Sequence, residues 1–197
     1  MYASQITKIL RTNHQTSQIF LGCFPCNRLP YPTSSKGKML IVNLDPFGYE
    51  GSHWVVVYIR NNNEVIYFGS LALPTSICII DTFLKHFSKI SKNLKSYQSP
   101  HSNTCSHHCI SFIYFFSKGY TFDQYLHILN KQSNPDLFVT NITVDTPLSC
   151  SKVIYQEAKS CTNIENFPIH ECYVHCIEIF PFIKIFVHAC SLRNNFV

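Results

Sequence analysis

The sequence predicts an α+β fold in which a central, mainly antiparallel sheet packs against helices. Residues 55–59 and 65–68 are β-branched and aromatic runs, and they flank residues 61–63, three asparagines whose side chains tolerate a tight turn. This arrangement predicts a β-hairpin, and residues 38–43 predict a further buried strand. From Cys105 onward, apolar residues recur at helical spacing, which predicts a buried helix on the sheet.

The remaining elements follow from similar patterns. Residues 3–11 show weak helical spacing, and we predict a loop or a frayed helix end in the polar stretch that follows them up to Ser17. Over residues 75–92, apolar residues at helical spacing alternate with lysines, which predicts an amphipathic helix packed on the sheet. Thr121 is the predicted N-cap of a helix that continues to Gln132.

Length and composition favour a single compact domain. The 197 residues, 46% of them hydrophobic, are enough to bury a sizeable core. Lys and Arg outnumber Asp and Glu by 16 to 11 without forming a basic block, which permits weak contact with nucleic acid. The start of the chain shows no secretory signal pattern, so we expect an intracellular protein whose ten cysteines stay reduced.

Cys105 is the candidate nucleophile, because it opens the predicted buried helix. At a helix N-terminus the dipole and the unpaired N–H groups favour the thiolate, which is the attacking form of a cysteine. Gln98 lies seven residues earlier, where its side-chain NH₂ can donate to the oxygen that becomes negative during attack. Taken alone, this pair also fits a structural cysteine behind a surface glutamine.

His53 is the candidate base for this cysteine. It directly precedes Trp54 and the predicted strand over residues 55–59, and a strand end holds a side chain rigidly. A single histidine at a strand start is more often a structural residue. The hypothesis that His53 is a catalytic base is therefore supported only in combination with Gln98 and Cys105.

These residues together resemble a known family. His53-Trp54 at a strand start, followed later by Gln98 and Cys105, is similar to the pattern of the adenovirus-type cysteine endopeptidases (adenain). The resemblance is closer to the related proteases of Maverick/Polinton transposons, and the SUMO-deconjugating proteases share the general plan. It runs from about residue 19 to residue 129. The other matching residues are Leu21-Gly22-Cys23-Phe24, Leu29-Pro30, Val42-Asn43-Leu44-Asp45-Pro46, Gly51-Ser52 and Ile66-Tyr67-Phe68.

The resemblance implies a papain-like, adenain-like cysteine peptidase. It divides the chain into an N-terminal segment at residues 1–18, a peptidase core at residues 19–131 and a divergent C-terminal extension at residues 132–197. The expected substrates are polypeptides, namely capsid or other structural precursors of a virus or transposon. We expect a monomer without cofactor or metal, located in the nucleus, the cytoplasm or the virion.

The resemblance also implies a catalytic role for each of the three residues. His53 takes the proton of Cys105, whose thiolate attacks a peptide carbonyl. Gln98 and the backbone N–H of Cys105 hold the oxyanion. His53 then protonates the leaving amine, and water cleaves the thioester.

Two positions depart from the family pattern. With the hairpin turn centred on Asn62, His53 lies across from Leu71, and residue 69 lies one diagonal step away on the same face. The family keeps its orienting acid there, but this chain has Gly69. Ser106 follows the candidate nucleophile where the family has glycine. An impaired or degenerate enzyme is therefore a further hypothesis.

Two alternatives of other kinds stay open. A deconjugase for ubiquitin-like proteins would share the His-Trp and Gln-Cys pattern. A zinc-stabilised binding module would use Cys23, Cys26, Cys105, His108 and Cys109. The lone CxxC formed by Cys23 and Cys26 is predicted to be structural, because no second pair follows at a suitable distance.

The C-terminal part contains two patterns that are similar to other kinds of site. Residues 170–176 are rich in Cys and His, but these are too crowded to hold a metal ion. Residues 172–190 are apolar, yet Glu178, Pro181 and Lys184 interrupt them, and charges inside a bilayer are costly. We therefore expect no membrane span.

Overall fold

The computed structural model describes residues 1–49, 51–74 and 80–145. The strands of its five-stranded sheet are β1 (Phe20–Pro25), β2 (Lys38–Asn43), β3 (Trp54–Ile59), β4 (Glu64–Phe68) and β5 (Lys89–Lys92). The helices in these ranges are α1 (Ala3–Thr12), α2 (His14–Ile19), α3 (Ile80–Leu84), α4 (Cys105–Ser117), α5 (Phe122–Lys131) and α6 (Pro135–Asp145). A short 3₁₀ turn spans Pro32–Ser35. None of the described helices has the length and apolar character needed to cross a membrane.

The sheet is mixed, with its antiparallel pairs at the centre. Its strand order is β1-β2-β3-β4-β5, and β3 is antiparallel to both β2 and β4. The two edge pairs, β1 with β2 and β4 with β5, are parallel. The predicted α+β class, with a central sheet packed against helices, is confirmed. The sequence did not predict the parallel edge pairs, which need longer connections than a hairpin turn.

The predicted hairpin forms with the expected register, in which Val56 pairs with Phe68. Asn61 stabilises the turn, because its Oδ1 accepts hydrogen bonds from the backbone N–H groups of Asn63 and Glu64, each at 2.9 Å. Antiparallel pairing places the start of β3 and the end of β4 at the same end of the hairpin. Residues just before β3 and just after β4 are therefore neighbours.

Hydrophobic residues fill both faces of the sheet. Strand alternation sends Val56 and Phe68 to one face, where they pack with buried residues of α1, α4, α5 and α6. We call this cluster the α4-side core. Val55 and Tyr67 point to the opposite face and pack with buried residues of α3. We call this second cluster the α3-side core.

Helix α4 runs alongside β3 in the same direction. Phe112, in the middle of α4, stacks on Phe68 with ring centroids 5.0 Å apart, and Phe68 is the strand partner of Val56. One turn later, Phe116 meets Tyr58 edge-on at 5.6 Å. The N-terminus of α4 therefore lies at the end of the hairpin where β3 begins.

The predicted helix over residues 75–92 is wrong in its second half. Helix α3 is short, and β5 follows it as a strand parallel to β4. Lys89 donates its backbone N–H to the carbonyl of Asn63 at 2.9 Å, and its ammonium lies 3.1 Å from Oε1 of Glu64. Pairing with the edge of β4 outweighs the local helical pattern, because it gives the backbone groups of both strands partners.

The N-terminal segment forms two helices, where the sequence predicted one helix followed by a loop or a frayed helix end. Asn13 caps α2, because its Oδ1 accepts the backbone N–H of Gln15 at 3.0 Å and that of Thr16 at 3.2 Å. The stretch up to Ser17 is therefore part of a capped helix and not a loop or a frayed helix end. Ile6 and Leu10 of α1 are fully buried in the α4-side core, so this segment contributes to the packing of the fold.

The helices predicted from Cys105 and after Thr121 are confirmed. Thr121 caps α5 reciprocally with Gln124. The Thr121 Oγ1 accepts the backbone N–H of Gln124 at 3.3 Å, and Gln124 Oε1 accepts the backbone N–H of Thr121 at 2.9 Å.

Helix α6 lies inside the predicted C-terminal extension. Its Val139 is fully buried in the α4-side core, and the ring of Phe138 lies 6.2 Å from that of Phe115 on α4. The extension thus contributes at least one helix that packs on α4. The predictions for residues 146–197, including the Cys- and His-rich cluster and the apolar run, lie outside the described residues.

Candidate active site

Cys105 is the first residue of α4 and carries a half-buried, free thiol. Thr104 precedes it as the N-cap residue, but the Thr104 side chain makes no capping hydrogen bond. Its hydroxyl donates to Asp136 instead. The N–H groups of the first turn of α4 therefore lack this cap, and through the helix dipole they favour negative charge at Cys105.

His53 lies immediately before β3 and is only 6% exposed. Its carbonyl accepts the backbone N–H of Leu44 at 2.9 Å. Its ring Nε2 is buried and has no hydrogen-bond partner among the described residues. Burial, followed by the nearby His108, lowers the pKa of His53 to about 4. His53 is therefore neutral at pH 7, which is the form that accepts a proton.

The side-chain amide of Gln98 is buried and held at both of its polar atoms. Ser70 Oγ donates to Oε1 at 2.6 Å, and Nε2 donates to the carbonyl of Ser102 at 2.7 Å. Because a backbone carbonyl can only accept, the nitrogen must face Ser102, and the orientation of the amide follows. The same nitrogen has a second N–H, which remains for another acceptor.

The backbone around Gln98 is tied to the end of β4. The N–H groups of Tyr97 and Gln98 both donate to the carbonyl of Ser70, at 2.8 and 3.1 Å. The hydroxyl of Ser96 donates to the same carbonyl at 3.3 Å. Ser70 thus fixes both the backbone and the side chain of Gln98 beyond the end of β4.

The structure brings the three predicted residues to one end of the β3–β4 hairpin. His53 enters β3, Gln98 is bonded to Ser70 beyond the end of β4, and Cys105 opens α4. The direction of α4 puts its N-terminus at this same end. His108, one turn after Cys105, is near enough to lower the pKa of His53. We call this end of the hairpin the candidate active site.

Residue 69 packs against the α3-side core, and its predicted place on the His53 face stays a prediction. A Cβ atom on Gly69 would lie 3.3 Å from Cγ1 of Val55 and 3.7 Å from the hydroxyl of Tyr67, and both residues belong to the α3-side core. The pKa of His53 responds to His108, which is on α4. The prediction extended strand alternation to His53, which lies outside β3 and need not follow it.

Ser70 is the residue beyond β4 whose side chain enters the site, as its bond to Gln98 shows. Sequence reasoning missed it. No strand pattern indicates it, because Ser70 lies two residues beyond the last residue of β4. Among the described residues, no acid is hydrogen-bonded to His53, so burial and the backbone bond to Leu44 hold this residue.

The other described cysteines are structural. Burial raises the pKa of Cys23 to about 11. Cys109 is fully buried, and burial, followed by the nearby Cys105 and Cys23, raises its pKa well above the usual range. Cys26 donates its S–H to a backbone carbonyl at 3.1 Å. Raised pKa values and occupied thiols disfavour the reactive thiolate at these positions.

The five candidate zinc ligands do not converge. Cys26 belongs to the α3-side core and Cys109 to the α4-side core, on opposite faces of the sheet. His108 is bonded through Nε2 to Oδ1 of Asp136 at 3.0 Å. In the part of the chain that the structure describes, no group of three or more Cys, His, Asp or Glu residues could hold a metal ion. These residues therefore give the zinc-stabilised module no support.

No protein-family model matches this chain, and no curated protein matches it. Among solved structures, the ASFV pS273R protease aligns over 71% of this chain and 65% of its own, with a TM-score of 0.43 and 16% identity. The C-terminal Ulp1 protease domain, in complex with Smt3, the yeast ortholog of SUMO, aligns over 76% of this chain and 78% of its own, with a TM-score of 0.39 and 11% identity. Likeness this remote gives no information about activity. The roles of the site residues depend on the chain's own geometry.

Asp136 is a further residue that sequence reasoning missed. It is hydrogen-bonded to Thr104, which precedes Cys105, and to His108, which lies one helical turn after Cys105. Asp136 itself is 31 positions after Cys105 in the sequence. No spacing pattern in the sequence indicates this contact, because it depends on how α6 packs on α4.

We expect Gly69→Asp to destabilise the fold without any gain in activity. The new carboxylate would be crowded between Val55 and the ring of Tyr67 in the α3-side core, and burying its charge there costs roughly 3 kcal/mol or more of the free energy of unfolding. Gly69→Ala is the matched control, since it adds only a methyl group and should cost about 1 kcal/mol. Urea unfolding measures both losses. If the aspartate variant were as stable as the parent and more active, a carboxylate at residue 69 would lie close enough to His53 to orient it.

We also expect the fold to lose stability in acid because of His53. Its pKa is about 4 in the folded chain against an ordinary 6.5, so the unfolded chain binds the proton first as the pH falls. The stability is fully present above pH 6.5 and is lost as the pH falls towards 4, by about 3 kcal/mol in all. The lowered pKa of His108 acts in the same direction.

Urea unfolding at a series of pH values between 7 and 4 tests this expectation. His53→Phe removes the titrating ring. Between pH 7 and pH 4 its free energy of unfolding should therefore fall by about 3 kcal/mol less than that of the parent. An identical pH dependence in the variant and the parent would mean that His53 is not buried as a neutral imidazole.

Proposed function

We propose that this chain is a cysteine peptidase in which Cys105 is the nucleophile, His53 the general base and Gln98 an oxyanion donor. The observation that carries the proposal is the buried amide of Gln98, which Ser70 and Ser102 orient while one N–H is left over. This amide belongs to the loop that leads to a free cysteine at a helix N-terminus. A structural cysteine would not need an oriented amide on that loop.

In the first half of the proposed reaction, the neutral imidazole of His53 accepts the proton of the Cys105 thiol. The thiolate then attacks the carbonyl carbon of the scissile peptide bond, and the carbonyl oxygen becomes negative. The spare N–H of Gln98 and the backbone N–H of Cys105 donate to this oxygen. Because the Thr104 side chain does not cap α4, it does not compete for the N–H groups of the first turn.

In the second half, protonated His53 gives its proton to the leaving amine as the C–N bond breaks, which leaves a thioester on Cys105. A water molecule then attacks the thioester with neutral His53 as its base. The acid product leaves, and the thiol is restored. These steps need only the three side chains and one backbone N–H.

We infer that turnover is slow, because His53 lacks an orienting acid among the described residues. In a serine triad, loss of the acid costs about 10⁴ in turnover. A cysteine should suffer less, by roughly 10 to 10³, because its thiol gives up a proton more readily than a hydroxyl. Burial of His53 and its backbone bond to Leu44 supply part of the orientation.

The proposed substrate is a polypeptide, and more narrowly a capsid or other structural precursor of a virus or transposon. The narrower class depends on the resemblance of His53-Trp54, Gln98 and Cys105 to the adenain and Maverick/Polinton proteases. The same chemistry would also serve a deconjugase for ubiquitin-like proteins. The two differ in what must be recognised around the scissile bond, so substrates distinguish them.

We expect the purified chain to cleave members of a mixed-sequence peptide library, with products identified by mass spectrometry. Cys105→Ala should lower kcat/KM by at least about 10³, because it removes the nucleophile. Gln98→Ala should lower kcat by roughly 10² to 10³ with a smaller change in KM, since an oxyanion donor acts in the transition state. Cys109→Ala is the matched cysteine control and should keep its activity, because that thiol is buried.

Cleavage that survives Cys105→Ala would overturn the assignment of the nucleophile. A ubiquitin-like protein carrying a C-terminal electrophile tests the other substrate class. If Cys105 reacts with this probe and the peptide library is not cleaved, the chain is a deconjugase and not an endopeptidase. No reaction of the parent chain with either substrate would overturn the proposal of peptidase activity.

A further inference from the structure

Asp136, in the first turn of α6, forms hydrogen bonds with the chain around the candidate active site. Its Oδ2 accepts the backbone N–H of Ser99 at 2.9 Å. Its Oδ1 accepts the hydroxyl of Thr104 and lies 3.0 Å from Nε2 of His108. The carboxylate thus joins α6 both to the loop over residues 99–104 and to α4.

These contacts bracket the two residues whose separation matters for the proposed reaction. Ser99 directly follows Gln98, and Thr104 directly precedes Cys105. His108 lies one turn of α4 beyond Cys105. One side chain therefore contacts the chain at both ends of the segment that joins the oxyanion donor to the nucleophile.

Ser102 connects the same carboxylate to the amide of Gln98. The hydroxyl of Ser102 lies 2.9 Å from Oγ1 of Thr104, which in turn is bonded to Asp136. The carbonyl of Ser102 accepts the N–H of Gln98 Nε2. Two hydrogen bonds of Ser102, one at its hydroxyl and one at its carbonyl, thus link Asp136 to the amide of Gln98 through this residue.

Thr104 is diverted from its ordinary role by this arrangement. A threonine before the first helical residue usually accepts an N–H of the first turn with its side chain. Here the Thr104 hydroxyl donates to Asp136 and makes no capping bond. The first-turn N–H groups of α4 therefore keep their capacity to hold a thiolate or an oxyanion at Cys105.

Helix α6 does not depend on Asp136 for its own cap. Asn134 Oδ1 accepts the backbone N–H of Leu137 at 3.0 Å, which is the ordinary capping contact. Partial burial favours the protonated acid at Asp136, but the hydrogen bonds it accepts outweigh burial and hold its pKa below the ordinary 3.8. The Asp136 carboxylate is therefore an ionised acceptor, and its partners Ser99, Thr104 and His108 lie outside α6.

We propose that Asp136 is a positioning residue of the peptidase, which holds the segment from Gln98 to Cys105 so that the oxyanion donor and the nucleophile keep a fixed separation. This inference rests on the proposed function. A misplacement of about 1 Å in such a site can cost about 10² in rate. The effect of losing Asp136 should therefore fall on kcat and leave KM nearly unchanged.

Asp136→Asn keeps the shape of the side chain but replaces one acceptor oxygen by an NH₂ group. This group cannot accept a hydrogen bond from the Ser99 N–H or the Thr104 hydroxyl. We expect kcat to fall about 10- to 100-fold on a cleaved library peptide. Asp123→Asn is the matched control. Asp123 occupies the same second position in α5, is exposed and makes no hydrogen bond with the loop over residues 99–104, so its variant should keep the parent kcat.

A double-mutant cycle separates positioning from a general structural effect. In a Gln98→Ala background the oxyanion amide is absent, so Asp136→Asn should lower kcat by less than about threefold. If the two losses simply multiply, Asp136 does not act through Gln98 and the inference fails. It also fails if Asp136→Asn raises kcat, which would mean that the carboxylate chiefly opposes the thiolate.

Hydrogen exchange gives a readout that does not depend on activity. In Asp136→Asn, the backbone amides of residues 99–104 should exchange at least about tenfold faster, while those of β3 and β4 stay protected. Unchanged exchange in the loop overturns the inference whether or not the chain is active. If exchange is faster but the chain shows no Cys105-dependent cleavage, the proposal of peptidase activity is overturned. Asp136 would then stabilise the loop without any role in catalysis.

Thr104→Val keeps the test decisive if Asp136→Asn does not fold. It removes the hydroxyl that contacts Asp136 and retains a β-branched side chain of similar size. We expect a loss of kcat of about three- to tenfold and faster exchange in the loop. Parent-like kcat and exchange in Thr104→Val would overturn the proposed role of Asp136.

Discussion

The hydrogen bonds of Ser70 are the constraint on which the candidate active site depends. Its carbonyl accepts the N–H groups of Tyr97 and Gln98, and its hydroxyl donates to the Gln98 amide. These contacts hold the start of the Gln98–Cys105 segment at the end of β4, while Asp136 holds the rest of that segment from the side of α6. The position of Gln98 is thus fixed by the sheet and by a helix together, which is what a pre-oriented oxyanion donor requires.

Packing of α4 on the sheet supplies the other half of the site. The stacking of Phe112 on Phe68 sets α4 along β3, so the helix N-terminus meets the strand start where His53 lies. Burial keeps His53 neutral, and burial also keeps the neighbouring Cys109 protonated. The same low-polarity surroundings therefore keep both groups uncharged, His53 as the neutral imidazole and Cys109 as the protonated thiol. Cys105 differs from both in lying at a helix N-terminus with a half-buried side chain.

Local chemistry made part of this arrangement predictable from the sequence. The asparagine turn gave the register of the hairpin, and helical spacing gave α4 with Cys105 at its start. Long-range contacts could not be predicted in the same way. Strand β5 replaces a predicted helix because it pairs with β4, and Asp136 reaches the site only because α6 packs on α4. Strand alternation predicted residue 69 on the His53 face but gave no sign of Ser70, whose hydroxyl contacts Gln98 from beyond the end of β4.

The central claim is that Cys105 is the thiol that His53 activates. The most direct test is the rate of iodoacetamide alkylation of each described cysteine at pH 7, measured by peptide mapping in the parent chain and in His53→Phe. The account predicts that Cys105 in the parent reacts at least about tenfold faster than Cys23, Cys26 and Cys109, and that the His53 variant slows Cys105 alone. Faster alkylation of Cys23 or Cys109, or an unchanged Cys105 rate in the variant, would contradict it.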